Sequence, residues 1–484
     1  MTAVTQVPFV GGSSLTRSRN FDASRCVNLY PEQSSSGQSK TIAMLLGTPG
    51  LKLWGTLSGG GIRGMLRFSA SQSIVVCGGN VYNVNTSGVG TLIGTIINRT
   101  TPVRMASNGT VIMLVTGPEG YIVSPAVVNG QMAVVTQISN PAFQGADTVD
   151  FSDGYFIFNK SGTGQFQITG LENVTIDPLD FATAEGAPDL LLSLLVNQRE
   201  VWLFGETSTE IYFDSGNPLF PFERIQGAFI EQGCAAKYSP AKINNTIFWL
   251  TSDLNGNGMV ARNNGYSAQR ISTHAQEYAW AQYSRIDDAI GFTYQQEGHS
   301  FYQLTFPTAN ATWDFDMTTE LWHERAWRNP ADGSLNRHRA QCVMSYAGLI
   351  IVGDWENGKL YSLSLDAFDD NGAILPAIRQ APHFASPGNT LLIFDRFWVD
   401  METGVGLASG QGSDPVVIVE WSDDGGHTFT GQQFVPAGKI GEYKRRAVVR
   451  RAGRSRDRVW RVTITDPIKR ALIGAGAAVR EGSA

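Results

Sequence analysis

Val416-Val417-Ile418-Val419-Glu420-Trp421 runs directly into Ser422-Asp423-Asp424-Gly425-Gly426-His427-Thr428-Phe429. The first six residues are mostly β-branched or aromatic, the composition of a strand. Asp424-Gly425 then supplies a hairpin turn, because glycine accepts the positive φ such turns require. Beyond the turn the chain becomes strongly basic: Lys444, Arg445, Arg446, Arg450, Arg451, Arg454, Arg456, Arg458 and Arg461 stand against the single acid Asp457. The closing strand alternates, so Trp460, Val462 and Ile464 are expected to meet a core, and Val459, Arg461 and Thr463 to meet solvent or a partner. Arginines on both faces between Arg445 and Arg451 predict a short strand or an edge. The segment is either a solvated edge or a contact surface for nucleic acid or an acidic partner. Its charge density exceeds what solubility needs, which favours a contact surface.

The spacing of Ser422, Asp424, Gly426 and Thr428 fits the Asp-box turn found in sialidases and other propellers. There the Asp and hydroxyl side chains hold the loop's own backbone donors, so the turn shapes a hairpin and performs no chemistry.

Working outward, 484 residues can bury large cores and should form two or more domains. Only 17% of residues are charged, while 53 are Gly and 11 are Trp, which points to many short strands rather than helices. The net charge is −6, yet the Lys444–Arg461 segment holds about +8, leaving about −14 elsewhere. That balance excludes a general DNA-coating protein. Cys26, Cys77, Cys234 and Cys342 are scattered without C-x-x-C spacing, as expected of reduced, buried thiols. The N-terminus lacks a signal-peptide pattern, and the longest apolar run, Leu190 to Val196, is too short to span a membrane. A soluble product of a reducing compartment is expected.

Taken in order, residues 1–55 read as an N-terminal arm and a first strand. The Gly-, Ser- and Asn-rich part from Gly11 to Lys40 is expected to wrap a surface, anchored at Val27-Asn28-Leu29-Tyr30-Pro31-Glu32. Residues 56–365 carry a weak repeat of roughly 40 residues, the range of propeller blades. Its strand pairs are Ser73–Cys77 with Val81–Val84, Val111–Val115 with Gly120–Ser124, Thr148–Phe151 with Gly154–Asn159, and Glu200–Phe204 with Thr209–Phe213. They continue with Thr246–Thr251 and Gly258–Asn263, Ser300–Thr305 and Ala311–Asp316, and Gly348–Gly353 and Gly358–Leu363. The fold class is therefore all-β: a propeller of six or seven blades, one or two of them irregular or completed by the N-terminal strand. A pair of stacked sandwiches fits the regular spacing less well. A short helical window spans Ser272 to Arg285, with Tyr278, Ala281 and Gln282 on one face. The Pro-, Asp- and Gly-rich stretch 366–389 reads as a linker. Residues 390–484 form a smaller C-terminal β-domain resembling a sandwich.

The search for chemistry is mostly negative. Gly59 to Gly64 matches G-x-G-x-x-G but precedes strands rather than the helix that would hold phosphate, so it reads as a surface loop. His323-Glu324 lacks a second His at helical spacing, and His323 reads as a strand-end surface residue. No G-x-S-x-G and no metal-spaced His cluster is present. Acid pairs Asp287-Asp288 and Asp369-Asp370 sit beside turn formers, as solvated loops do, though glycosidase carboxylates would meet only in the fold. No cofactor or metal is expected.

Several pieces, in this order, resemble one family. They are Asn28-Leu29-Tyr30-Pro31-Glu32, Thr48-Pro49-Gly50-Leu51, Glu210-Ile211-Tyr212-Phe213 with Ile230-Glu231-Gln232-Gly233-Cys234, and Trp313-Asp314-Phe315-Asp316. Trp421 to Gly426 and Arg450-Arg451-Ala452-Gly453-Arg454 complete the set. Together, over about residues 5 to 480, they resemble the packaged-DNA stabilisation proteins of short-tailed bacteriophages, the tail hub or nozzle proteins. The resemblance implies a non-enzymatic virion protein made in the host cytoplasm. It implies a ring of copies, six-fold, below the portal and its adaptor, continuing the DNA channel, helping to retain packaged DNA, seating the needle or plug and mounting tailspikes or fibres. Ser422, Asp424, Gly426 and Thr428 are then a structural turn. Arg445, Arg446, Arg450, Arg451, Arg454, Arg456, Arg458 and Arg461 are candidates for contact with a neighbouring protein or with DNA. The preference for Arg over Lys and the acidity of the remaining chain favour the protein neighbour. The alternatives are a sialidase-like or polysaccharide-degrading propeller enzyme, drawn from the Asp-box turn, and a free propeller scaffold for protein partners.

Overall fold

The computed structural model describes residues 3–125, 133–253, 255, 256 and 258–482. Six blades each consist of four consecutive antiparallel strands, within residues 62–95, 104–137, 149–183, 191–230, 241–270 and 290–328. A seventh, composite blade closes the ring: Ala340–Tyr346, Leu349–Asp354 and Lys359–Ser364 are joined by Gly50–Thr56 from the N-terminal arm. Each of the seven hairpins expected from the sequence falls in a different blade. Several inner hairpins turn on two residues with positive φ, as at Asp153-Gly154 and Glu297-Gly298, the twist that matches paired strands.

What holds the ring together is burial between blades. Seven apolar clusters alternate with the seven sheets, each shared by two neighbours. Ile74, Val76, Leu114 and Val123 join the first two blades; Met344, Ile351, Val75 and Cys77 join the composite blade to the first. The innermost strands surround an axial cavity of about 390 Å³, lined by Arg104, Asp150, Lys242 and Gln341 among others.

The C-terminal domain is a sandwich of two sheets over one core. One sheet runs Leu29–Gln33, Ala43–Gly47, Ala471–Glu481, Leu392–Met401 and Ala447–Arg450, with Ala3–Val7 also paired to Ala471–Glu481. The other runs Ala23–Val27, Ala377–Gln380, Asp457–Ile464, Val416–Ser422 and Gln433–Pro436. Trp460 sits at the centre, stacked on Phe397 at 3.9 Å and edge-on to Phe394 at 5.6 Å. Such a buried aromatic pair adds specific geometry to a large burial.

Four features differ from the sequence reading. The arm does more than wrap a surface: Ala23–Val27 and Ala43–Gly47 pair with strands several hundred residues away, and Leu29–Gln33 joins the sandwich through Ala43–Gly47. Within the supposed linker, Ala377–Gln380 is an interior strand, between Ala23–Val27 and Asp457–Ile464. The helix His274–Trp280 forms, capped by Thr273 and Gln276, but it buries Ala275, Gln276 and Trp280 rather than the face of Tyr278, Ala281 and Gln282. His323 is fully buried, not superficial; burial pushes its pKa down to about 3, so it stays neutral. The four cysteines are free thiols, and burial raises Cys26 to about 12 and Cys234 to about 11.

The arm also rivets the two domains. Asn28, at φ 53°, turns the chain from one sandwich sheet to the other. Its amide donates to the carbonyls of Ala326 and Pro376 and accepts from Ala326 N–H at 3.0 Å. Arg25 pairs with Glu324 at 2.6 Å. Buried His299 bridges Asp316 and Glu32, each at 2.8 Å. The hydrogen bond to Asp316, aided by that to Glu32, raises the imidazole above its ordinary 6.5 against the opposing effect of burial. A pKa raised on folding stabilises fully below the unfolded value and loses that contribution as pH rises through the folded one. Melting temperature should therefore fall more steeply above pH 6.5 in the native chain than in His299→Gln; parallel pH profiles would contradict the bridge.

Candidate functional site

The turn closes the hairpin of Val416–Ser422 and Gln433–Pro436, and its Asp423 meets Arg458 of the adjoining strand Asp457–Ile464. Asp424 spends both oxygens on its own loop: Oδ1 accepts from the Ser422 hydroxyl at 2.6 Å and from the N–H groups of His427 and Thr428 at 3.0 and 2.9 Å. Oδ2 accepts from the Thr428 hydroxyl at 2.6 Å, and Gly426 N–H donates to Ser422 Oγ at 2.8 Å. These hydrogen bonds, led by those of Ser422 and Thr428, hold the carboxyl well below the usual carboxylate range. Gly425 and Gly426 both take positive φ. The carboxylate is committed to shaping its own turn, leaving it poorly placed to act on a substrate.

The eight candidate arginines separate into three groups. Arg458 is buried on the core side of its strand: its guanidinium forks onto Asp423 at 2.7 and 2.8 Å and donates to Ala452 O at 2.6 Å. It lies over Phe394 at 4.2 Å and close to Trp421 and Trp460. Arg461 is half-buried, paired with Glu420 at 2.9 Å and stacked on Phe429 at 3.7 Å. Both hold the fold together, and burial takes Arg458 out of the contact candidates. Arg446 and Arg456 are exposed but tethered, to Asp400 at 3.1 Å and to Asn389 O at 2.7 Å. Arg445, Arg450, Arg451 and Arg454 are exposed, with no carboxylate in ion-pair range among the described residues.

The fold adds residues that sequence reading missed. Arg450 lies on the edge strand Ala447–Arg450 directly opposite Arg396, and Arg454 lies opposite Ile393, which also faces Arg480. Arg396, Arg450, Arg454 and Arg480 therefore share the outer face of one sheet. Among them Trp398 lies against Gly476, where a Cβ would meet its ring at 2.4 Å, and Arg446 approaches that indole at 5.5 Å. Of the four arginines only Arg480 is paired with a carboxylate among the described residues, Asp395 at 3.2 Å. Like charges directly opposed across two strands destabilise the pair.

Among solved structures, the computationally designed Ika8 protein has a TM-score of 0.40 at 8% identity, covering 65% of this chain and 99% of its own. YCF48 from Cyanidioschyzon merolae scores 0.40 at 10% identity, covering 65% and 98%. PorZ of the type-IX secretion system of Porphyromonas gingivalis scores 0.39 at 12% identity, covering 78% of this chain and 46% of that one. No curated protein sequence matches significantly. Family profiles do: residues 5–367 match the β-propeller of bacteriophage P22 Gp10, and residues 378–480 match its β-sandwich. With nearly its whole length accounted for in the same order, the chain belongs to the bacteriophage P22 Gp10 family of phage structural proteins.

Proposed function

We propose that this protein is a tail hub of a short-tailed phage, made in the host cytoplasm and built into the virion. In this reading copies form a ring, six-fold by resemblance, below the portal and adaptor. The ring continues the DNA channel, helps to retain packaged DNA, seats the needle or plug, and mounts tailspikes or fibres. The observation that carries it is the outer sandwich face, where Arg396 opposes Arg450 with no carboxylate in ion-pair range of either among the described residues. The chain outside the basic segment is acidic, so a neighbouring copy offers the missing carboxylates. The propeller axis encloses only a small-molecule volume, about 390 Å³, so DNA would pass between copies rather than through a blade ring.

Arginines set against carboxylates rely on a planar, bidentate fork that Lys reproduces poorly, whereas phosphate contacts tolerate Lys. Arg450→Lys combined with Arg451→Lys should therefore impair ring assembly or docking while the isolated subunit keeps its melting temperature. If that double variant assembles normally and only DNA retention in filled particles suffers, the face lines the channel instead.

A further inference from the structure

The outer rim of blades three and four displays large apolar side chains: Leu219 is 89% exposed and Leu179 80%. Leu179 precedes the outer strand Phe181–Thr183 of blade three, and Leu219 leads into the outer strand Phe222–Ile230 of blade four. Exposed Phe213 sits opposite Glu223 of that strand. A groove of about 420 Å³, lined by Thr183, Glu185, Glu223 and Arg224, joins the two outer strands into one surface. Single exposed leucines are ordinary, whereas apolar groups gathered along a polar groove mark a contact surface. The surface is also acidic. Residues 171–231 hold eleven Asp and Glu against Arg199 and Arg224 alone, and both arginines are already paired, with Asp153 and Glu210. Burial raises the Tyr155 phenol above its ordinary value, and the nearby charges of Asp214 and Asp180 add to it. Tyr155 in turn packs 5.8 Å from Phe222, so acids of both blades converge on this rim.

Such a rim calls for a partner that is basic and partly apolar, and the chain itself displays one. Arg396, Arg450 and Arg454 are exposed on the sandwich with no carboxylate in ion-pair range among the described residues. The loop 437–446 leading into Ala447–Arg450 adds exposed Ile440 and Tyr443. One chain cannot bring its own two surfaces together. The sandwich is fastened at blades six and seven, through Arg25 with Glu324 and through Gly50–Thr56, and the rim lies about half a turn away around the ring of sheets. The rim of one copy and the sandwich of the next can meet head to tail, a heterologous contact of the kind that generates rings. We propose that the acidic rim of blades three and four receives the basic sandwich face of a second copy of this chain, which rests on the ring assembly proposed above. Leu179 and Leu219 give the contact its apolar centre, and the carboxylates around them answer the arginines.

The test is mass photometry of the full chain as it loads onto the portal–adaptor complex of its own phage. The native chain should fill each complex completely, with few partial occupancies, because neighbours hold one another. Glu185→Lys/Glu223→Lys should require about tenfold or more chain for half-filling and leave partial rings. Both glutamates are exposed and in no ion pair among the described residues, so this variant should melt as the native chain does. Arg450→Glu/Arg454→Glu should show the same defect. Mixed in equal amounts, the two variants should restore complete filling, since each then meets in the other the charge it lacks. A rim variant that fills complexes as the native chain does, or a mixture as defective as its parts, would overturn the proposal and leave the tail-hub reading standing. A native chain that never loads would remove that reading, and the neighbour contact with it.

Discussion

Arg458→Ala should destabilise the sandwich by about 2–4 kcal/mol, the range for emptying a large buried site and stranding its hydrogen-bond partners. The arginine fills a slot between Phe394, Trp421 and Trp460 and satisfies Ala452 O, so its removal leaves both a cavity and an unmet carbonyl. Part of the loss is recovered at Asp423, whose half-exposed carboxylate rehydrates. Arg458→Met, which refills the slot, should cost clearly less. Arg450→Ala, by contrast, should leave melting unchanged, because its side chain is exposed and has no ion pair among the described residues. Denaturant melts of the three variants check the order; equal losses from Arg458→Ala and Arg450→Ala would contradict the division between buried and displayed arginines.

The second large effect belongs to the junction. Asn28→Ala should cost about 3–5 kcal/mol, because it leaves Ala326 N–H and the carbonyls of Ala326 and Pro376 short of partners in a buried site. It also forces alanine into positive φ. Asn28→Gly removes the same hydrogen bonds without that strain and should recover about 1 kcal/mol. Because Asn28 ties blade six to the sandwich, the loss should appear as earlier protease cleavage between the domains as well as earlier melting. A variant that melts as the native chain does would show that the arm is not the rivet.

How much of this was legible follows from where each element buries its residues. One hairpin per blade could be read because its strands are apolar on both faces, as in Ser73–Cys77, which is buried throughout and bounded by Gly78. Outer strands such as Val134–Gln137, Phe181–Thr183 and Ser267–Arg270 are short and mostly exposed, so they carry no apolar pattern to detect. The arm strands and Ala377–Gln380 look irregular because their partners lie far along the chain, and only the closed fold brings those partners alongside. The anchor at Asn28 could be seen, though its hydrogen bonds could not. The burial of Arg458 was available in principle: it shares the parity of Trp460, Val462 and Ile464, the core face, and the density of surrounding arginines masked that signal. Arg396 had no such signal, since only strand register sets it opposite Arg450.

A tail hub whose basic sandwich face engages acidic surfaces of its neighbours, as proposed above, must assemble on the portal–adaptor complex. Mass photometry of the purified chain, alone and mixed with the portal–adaptor complex of its own phage, tests it most directly. The chain should bind that complex in a fixed multiple, with occupancy reduced in Arg450→Lys/Arg451→Lys. A chain that fails to associate with the cognate portal–adaptor complex at micromolar concentration would contradict it.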